Sequence, residues 1–434
     1  MEDRYARHHL LEGWDQRRLA DAHVLVAGVG AVGNEVVKLL ALMGVGHLLL
    51  IDFDTVEMSN LTRSVLFRAT DIGVSKAQVA ASRARELNPD VDVRWLQGHL
   101  EFDVGLGVYS AQDVVIGCLD SINARLGLNR ACYKIGVPWI NTGIESTVAE
   151  IALFQSDTGA CFECAMSESM WERRNQRFSC GGLHSDLPEN AVPTTATVAS
   201  LTAALAVNEA LLLLHGRKTL SELKEQSQEN TLENNSEEKQ LSEVPFFGLD
   251  FSQKLYITVA PYGMQTADLP LNPHCLAHDR WQPVTVLPQR ASEITAAQLL
   301  RLSFDNAAQK MSGLTEPKIP AKDVTKITEI DTAEIEDIEE GIVEFGFDLL
   351  TFMRCLECGR EEEILKPIEA CSLALNHCSH CDMPSRQPET ISWLGMHSAL
   401  ASRSLADLGI PEHQILAVKQ GEERRYLQIS GIYN

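Results

Sequence analysis

The run Gly28-Val29-Gly30-Ala31-Val32-Gly33 follows an apolar stretch, Val24 to Ala27, and leads into helical periodicity. Glycines at such a strand-to-helix turn let the backbone approach phosphate groups, and the helix start adds N–H donors and the positive end of its dipole. About twenty residues further on, Asp52 closes the next apolar run, where a carboxylate can accept both hydroxyls of a ribose. To this point NAD fits as well as ATP. The continuation, Asp52-Phe53-Asp54 through Asn60-Leu61-Thr62-Arg63 to Ser75-Lys76, adds cations beside the pocket. A triphosphate that loses pyrophosphate needs such cations, whereas nicotinamide does not. In Gly117-Cys118-Leu119-Asp120 a further predicted strand ends at the sheet's carboxyl edge, where the Asp120 carboxylate could hold Mg²⁺ between phosphates.

Of the 11 cysteines, six fall in three C-x-x-C pairs, a usage that points to metal rather than to disulfides in a reducing compartment. Cys161 and Cys164 form one knuckle, and Cys275 with His278 repeats the spacing, so the four make a Cys₃His structural zinc site, with His184 the rival fourth ligand. Cys355, Cys358, Cys378 and Cys381 have the paired-knuckle spacing of a zinc ribbon. Zinc is preferred over redox chemistry because redox C-x-x-C motifs come singly at a helix start. Neither site leaves a ligand position open, so both zincs should stabilise local folds. Cys371, Cys118 and Cys132 read as packed residues.

The elements that position these groups alternate between short apolar runs and helical patterns: His23 to Ala27, Asn34 to Met43, His47 to Ile51, Lys76 to Leu87, Val91 to Leu96 and Asp113 to Ile116. Such alternation predicts βαβ units and a parallel sheet. Pro138 to Gly143, Ala149 to Gln155 and Phe251 to Val259 read as further strands, and Thr195 to Leu214 as a long buried helix. The fold class is therefore α/β, a Rossmann-like doubly wound sheet, mostly parallel with an antiparallel extension, plus a small C-terminal region containing the ribbon. Residues 1–285 make the nucleotide-binding domain with its zinc knuckle, interrupted by a polar insertion at about 221–244. Residues 286–345 read as a linker or helical acidic segment, and 346–434 as the ribbon-containing C-terminal region.

At 434 residues the chain has ample material for a core, and its net charge of −23 would repel phosphate backbones and anionic lipids. Nucleic acid and membrane partners are not expected. The polar start, Met1 to Leu10, lacks the apolar core of a secretory signal, so a cytoplasmic location is expected.

Taken together, the run from Gly28 to Asp120 resembles the ThiF, MoeB and HesA adenylyltransferases and the adenylation domains of ubiquitin-activating enzymes, over roughly Asp3 to Asp279. The resemblance implies that Asp52 binds ribose, that Asn60, Arg63 and Lys76 bind phosphates, and that Asp120 binds Mg²⁺. Gly28, Gly30, Gly33 and Asp54 complete the nucleotide set. Arg7, in Arg4-Tyr5-Ala6-Arg7-His8, matches a family arginine that reaches into the partner subunit's ATP site, which implies a homodimer. Cys180, in Arg177-Phe178-Ser179-Cys180-Gly181-Gly182, lies where related enzymes place a reactive cysteine. Neighbouring Arg173, Arg174 and Arg177 would favour its thiolate.

The implied activity is ATP-dependent adenylation of the C-terminal carboxylate of a ubiquitin-like protein, followed by a thioester on Cys180 and transfer to a conjugating enzyme. Docking of that enzyme is expected of the C-terminal region, around Leu405 to Pro411. The alternative is activation of a sulfur-carrier protein for thiamine or molybdopterin synthesis, or modification of a small peptide. A catalytically dead scaffold would lack Arg63, Lys76 or Asp120, and all three are present.

Overall fold

A computed structural model describes residues 3–175, 194–216, 248–304 and 341–431. The polar insertion at 221–244, most of the acidic stretch, Cys180, Arg177 and His184 lie outside the described residues. The chain divides into two compact units, with the division between Arg280 and Trp281.

The first unit is built on an eight-stranded sheet. Its strands are β1 (His23–Ala27), β2 (His47–Ile51), β3 (Asp92–Leu96), β4 (Val114–Gly117), β5 (Trp139–Glu145), β6 (Val148–Phe154), β7 (Gln253–Val259) and β8 (Tyr262–Asp268). They lie in the order β3-β2-β1-β4-β5-β6-β7-β8. The five strands β1 to β5 pair in parallel, and β6, β7 and β8 extend the sheet antiparallel. This is the doubly wound sheet with an antiparallel extension that the sequence predicts. Chain order reverses between β1 and β4, and the crevice at the carboxyl ends of two such strands is where open α/β sheets bind ligands.

Besides the short α1 (Gln16–Asp21), α4 (Leu106–Ser110) and α6 (Glu168–Asn175), the helices follow from the apolar periodicity. On one face, α2 (Ala31–Met43), α3 (Lys76–Leu87) and α7 (Ala196–Leu214) bury Val36, Leu40, Ala80, Ala84, Ala203 and Ala206 against Val24, Val26, Leu50, Ile116 and Ile151. Small side chains on α3 and α7 let the helices approach the sheet and one another closely. Thr195 caps α7, its hydroxyl accepting from the Val198 N–H, and the buried Glu209 carboxylate accepts from the Leu249 N–H at 3.1 Å. Among the described residues α7 alone is long and apolar enough to cross a membrane; more than half of it is buried in this core. On the opposite face, α5 (Ile122–Ile135) buries Leu128 over Gly117 and Trp139, where a Cβ on Gly117 would lie 2.8 Å from Leu128.

The second unit carries a six-stranded sheet. Its strands are β9 (Val284–Arg290), β10 (Ile342–Cys355), β11 (Glu361–Pro367), β12 (Arg386–Gly395), β13 (Ile415–Gln420) and β14 (Glu423–Ser430). Parallel pairing of β9 with β14 brings Val284 beside Tyr426. Helix α8 (Ala296–Phe304) buries Leu299 and Leu300 among Val343, Phe345, Leu416 and Val418. Residues 286–304, read from sequence as the start of a linker, are thus part of this second core.

Candidate nucleotide site and metal centres

The three glycines of the loop do different work. Gly28 has φ +87°, a left-handed conformation, and a Cβ there would lie 2.6 Å from the Cys118 carbonyl oxygen, so only glycine fits this turn. At Gly33 a Cβ would fall 2.1 Å from the Gly28 carbonyl oxygen, so the bare backbone lets α2 pack onto the loop. Around Gly30, by contrast, a Cβ would meet nothing within 4 Å. Gly30 is the N-cap of α2, and no cap side chain accepts from the N–H groups of the first turn, so the helix begins beside open space with its donors uncapped. That is the geometry a phosphate requires.

Asp52 is buried at the end of β2 and holds the loop's far side. One carboxylate oxygen accepts from the Val29 N–H at 2.6 Å and the other from the Asp54 N–H at 2.8 Å. Burial raises its pKa above the usual 3.8, and Lys76 opposes that rise. Lys76 opens α3 behind the Ser75 cap and is largely buried; its ammonium donates to Asp54 at 2.7 Å. The structure therefore brings Asp52, Asp54 and Lys76 together at the ends of β2 and α3. Asp54 is the carboxylate that holds Lys76 in place.

Asn60 and Arg63 lie in the turn after β2. The Asn60 side-chain oxygen accepts from the Glu57 N–H at 3.0 Å, a cap that shapes the turn, and the Arg63 guanidinium donates to the Ser59 carbonyl at 2.7 Å. A residue the sequence reading passed over fixes this turn to the glycine loop. Asn34, wholly buried in α2, donates to the Val29 carbonyl at 2.7 Å and accepts from the Leu66 N–H at 3.0 Å. Its signal was a polar pair, Asn34 and Glu35, among the apolar positions of a helix whose buried residues are otherwise small or aliphatic.

Asp120 follows β4 with its side chain exposed, and Ser121 then caps α5, accepting from the Ala124 N–H at 3.4 Å. Arg125, one turn on, donates to Asn141 of β5 at 2.6 Å and to the Leu119 carbonyl. Burial pulls its guanidinium below the ordinary range, while the charges of Glu150 and Asp120 oppose the shift. Cys118 sits behind the glycine loop, its thiol pushed up to about 12 by burial, and Cys132 is fully buried. Arg7 begins the short turn His8–Leu10 with its side chain exposed.

Both cysteine sets converge. Cys161, Cys164, Cys275 and His278 offer ligand atoms that all lie within 4.8 Å of one another, as do Cys355, Cys358, Cys378 and Cys381. Sulfurs bound tetrahedrally to one zinc at about 2.3 Å lie about 3.8 Å apart. Cys161 is 3.7 Å from Cys164 and from Cys275, Cys355 is 3.6 Å from Cys381, and Cys358 is 3.7 Å from Cys378. The His278 Nε2 lies 3.3 Å from the Cys164 sulfur, and the ring stacks on Tyr133 at 4.7 Å, which fixes its orientation. The donor sets and spacings thus fit zinc at both positions. In the ribbon, the Cys358 N–H group lowers the Cys355 thiol to about 6, as a knuckle that presents N–H groups to sulfur should. Cys371 is buried and donates to the Pro367 carbonyl at 3.4 Å, outside the ligand set.

A model of the ThiF family matches residues 4–247, more than half of the chain. The chain belongs to the ThiF family. Relatives of this ThiF-family chain include the SAMP-activating enzyme E1 of Haloferax volcanii, 35% identical over 172 residues, covering 38% of the chain and 63% of that protein. The sulfur carrier protein ThiS adenylyltransferase of Escherichia coli is 33% identical over 178 residues, covering 40% of the chain and 71% of the relative. SUMO-activating enzyme subunit 2 of Dictyostelium discoideum is 32% identical over 168 residues, 38% of the chain but only 25% of that protein. Among solved structures, E. coli MccB with ATP is similar at 22% identity and a TM-score of 0.49, covering 64% of the chain and 74% of MccB.

Proposed function

We propose that this chain adenylates a carboxylate with ATP, and that the carboxylate is the C-terminal one of a ubiquitin-like protein. The observation that carries the reading is the open, uncapped start of α2 at Gly30, flanked by Asp52, Lys76 and the exposed Asp120 at the switch point of the sheet. In the reaction a carboxylate oxygen bonds to the α-phosphorus, the bond to the bridging oxygen breaks, and pyrophosphate leaves. No base is needed, because the carboxylate is already ionised at neutral pH.

Asp52 accepts from the ribose hydroxyls through lone pairs its backbone partners leave open. The first turn of α2 donates to a phosphate, and Lys76 and Arg63 stabilise charge on the leaving group. Lys76 must exchange Asp54 for the phosphates or bridge the two. Asn60 shapes the turn that presents Arg63. Mg²⁺, held by Asp120, would neutralise phosphate charge when bound. Cys161, Cys164, Cys275 and His278, and Cys355, Cys358, Cys378 and Cys381, would each hold one Zn²⁺ that stabilises the local fold, since four protein ligands leave no open position.

Arg7, exposed on the N-terminal turn, serves the site of a second copy in a homodimer. The Cys180 thiolate attacks the carbonyl carbon of the adenylate, the thioester forms as the acyl–oxygen bond breaks and AMP leaves, and the second unit docks a conjugating enzyme. A cytoplasmic location suits the unpaired, zinc-ready thiols. Similarity to the ThiS adenylyltransferase supports a second reading, in which the acceptor is a sulfur-carrier protein and the product a stable adenylate, passed on to a persulfide only where a separate sulfane-sulfur donor has loaded one.

The test is ATP–pyrophosphate exchange with a panel of ubiquitin-fold proteins ending in glycine, followed by nonreducing gels of wild type and Cys180→Ala. Acceptor-dependent exchange that Lys76→Ala abolishes supports adenylation, and a thiol-labile adduct lost in Cys180→Ala supports the thioester. Binding of NAD in place of ATP would overturn the reading.

A further inference from the structure

Three buried side-chain donors around β5 lack a partner among the described residues, the Asn129 and Asn141 amides and the Trp139 indole, and of these the one tied to the end of β4 is Asn141. Its side chain is 1% exposed on β5, beside Gly117 of β4 in the parallel register. The Oδ1 accepts from Arg125 at 2.6 Å, while the Nδ2 finds no acceptor among the described residues. Exchanging the amide's oxygen and nitrogen offers no escape, because arginine only donates and would then face a second donor. A buried, unsatisfied N–H costs about 1–3 kcal/mol, so a donor of this kind beside a candidate site calls for an acceptor, a water or a ligand, to complete it.

The surroundings say what that acceptor is. Arg125 bridges Asn141 to the Leu119 carbonyl, next to Asp120, so the orphan donor is tied to the end of β4. Asn141 and Gly143 share one face of β5, and over Gly143 lies the side chain of its cross-strand partner Glu150, whose Cγ is 2.5 Å from where a Cβ would be. Lys76 and Asp52 stand on the β1–β2 side of Asp120, while Asn141 stands on the β5 side. In phosphoryl transfer the attacking and leaving oxygens lie roughly in line. With the phosphates taken by the β1–β2 side, the attacking oxygen must come from the β5 side. A donor braced by a guanidinium suits an anionic oxygen there.

We propose that the Asn141 side-chain amide, positioned by Arg125, donates a hydrogen bond to the acyl oxygen of the substrate's C-terminal carboxylate and of the adenylate it forms. This assignment rests on the adenylation reading. It makes Asn141 a residue that orients the attacking group and leaves ATP binding to others.

The probe is glycylsulfamoyl adenosine, a stable mimic of a glycyl adenylate, compared with AMP by calorimetry on the full chain. Wild type should bind the mimic more tightly than AMP. Asn141→Asp keeps the shape and the Arg125 contact while removing the donor, and Asn141→Ala removes the group without adding charge. Both should lose on the order of 10- to 100-fold of the preference for the mimic, the range for a hydrogen bond to a charged group, at unchanged AMP affinity. Retention of the preference in Asn141→Asp would overturn the proposal, as would a wild type that does not distinguish the mimic from AMP. If wild type binds neither mimic nor AMP nor ATP, the adenylation reading itself fails, which is a different outcome.

Discussion

Alanine substitutions at Gly30 and Gly33 separate nucleotide binding from folding within one loop. At Gly30 the backbone has φ −74°, outside the left-handed region, and a new Cβ meets no atom within 4 Å. Gly30→Ala should therefore leave stability within about 0.5 kcal/mol of wild type. The methyl would point into space meant for phosphate and hold it off the α2 N–H groups. Charge-assisted hydrogen bonds contribute about 1.5–3 kcal/mol each, so loss of one corresponds to roughly 10- to 100-fold weaker ATP binding. Gly33→Ala has the opposite signature, because its Cβ would lie 2.1 Å from the Gly28 carbonyl oxygen and one of the two backbones must move. Overpacking of this kind costs about 1–3 kcal/mol or more, read as a lower denaturation midpoint. The assay pairs urea denaturation with ATP calorimetry on both variants. Wild-type ATP affinity in a folded Gly30→Ala protein would refute the placement of the phosphates.

Three further outcomes are expected. Metal analysis should find two zinc ions per chain, with one lost in Cys358→Ser and the other in His278→Ala, each with a lower melting temperature; retention of both ions in either variant would contradict the ligand assignment. Burial raises the Asp52 pKa above 3.8, so the stability it contributes is present below that value and is lost as pH rises through the raised one. Ribose binding needs the ionised form, so ATP affinity should fall in mildly acid solution, above the usual carboxylate range, and Asp52→Asn should flatten that limb. Asn34→Ala removes the partner of the buried Leu66 N–H and should lower stability by about 1–3 kcal/mol in equilibrium denaturation.

The glycine loop, the order of strands and helices, and both cysteine sets were legible in the sequence because each is written locally. Gly28 and Gly33 signal through spacing a backbone constraint that no other residue meets, and a C-x-x-C knuckle brings its own N–H groups to sulfur. The Asn141 and Arg125 pair was not legible. It depends on the register between β4 and β5, which places Gly117 beside Asn141, and a strand shifted by one residue would point Asn141 to the other face.

The first strand of the second unit, which straddles the boundary drawn at residue 285, went unrecognised for a related reason. Val284–Arg290 lies beside Tyr426–Ser430 across a long stretch of chain, a pairing that no local pattern announces. Asp54 was legible as part of the nucleotide motif, but its hold on Lys76 became visible only when α3 packed next to β2.

The central claim is that a carboxylate oxygen attacks the α-phosphorus at the crevice between β1 and β4. An acceptor carrying ¹⁸O in its C-terminal carboxylate tests it directly when its adenylate is discharged by a thiol or water at the carbonyl carbon. Mass spectrometry should then find one ¹⁸O in the released AMP together with unlabelled pyrophosphate. Unlabelled AMP, or ADP and phosphate as the products, would contradict the account.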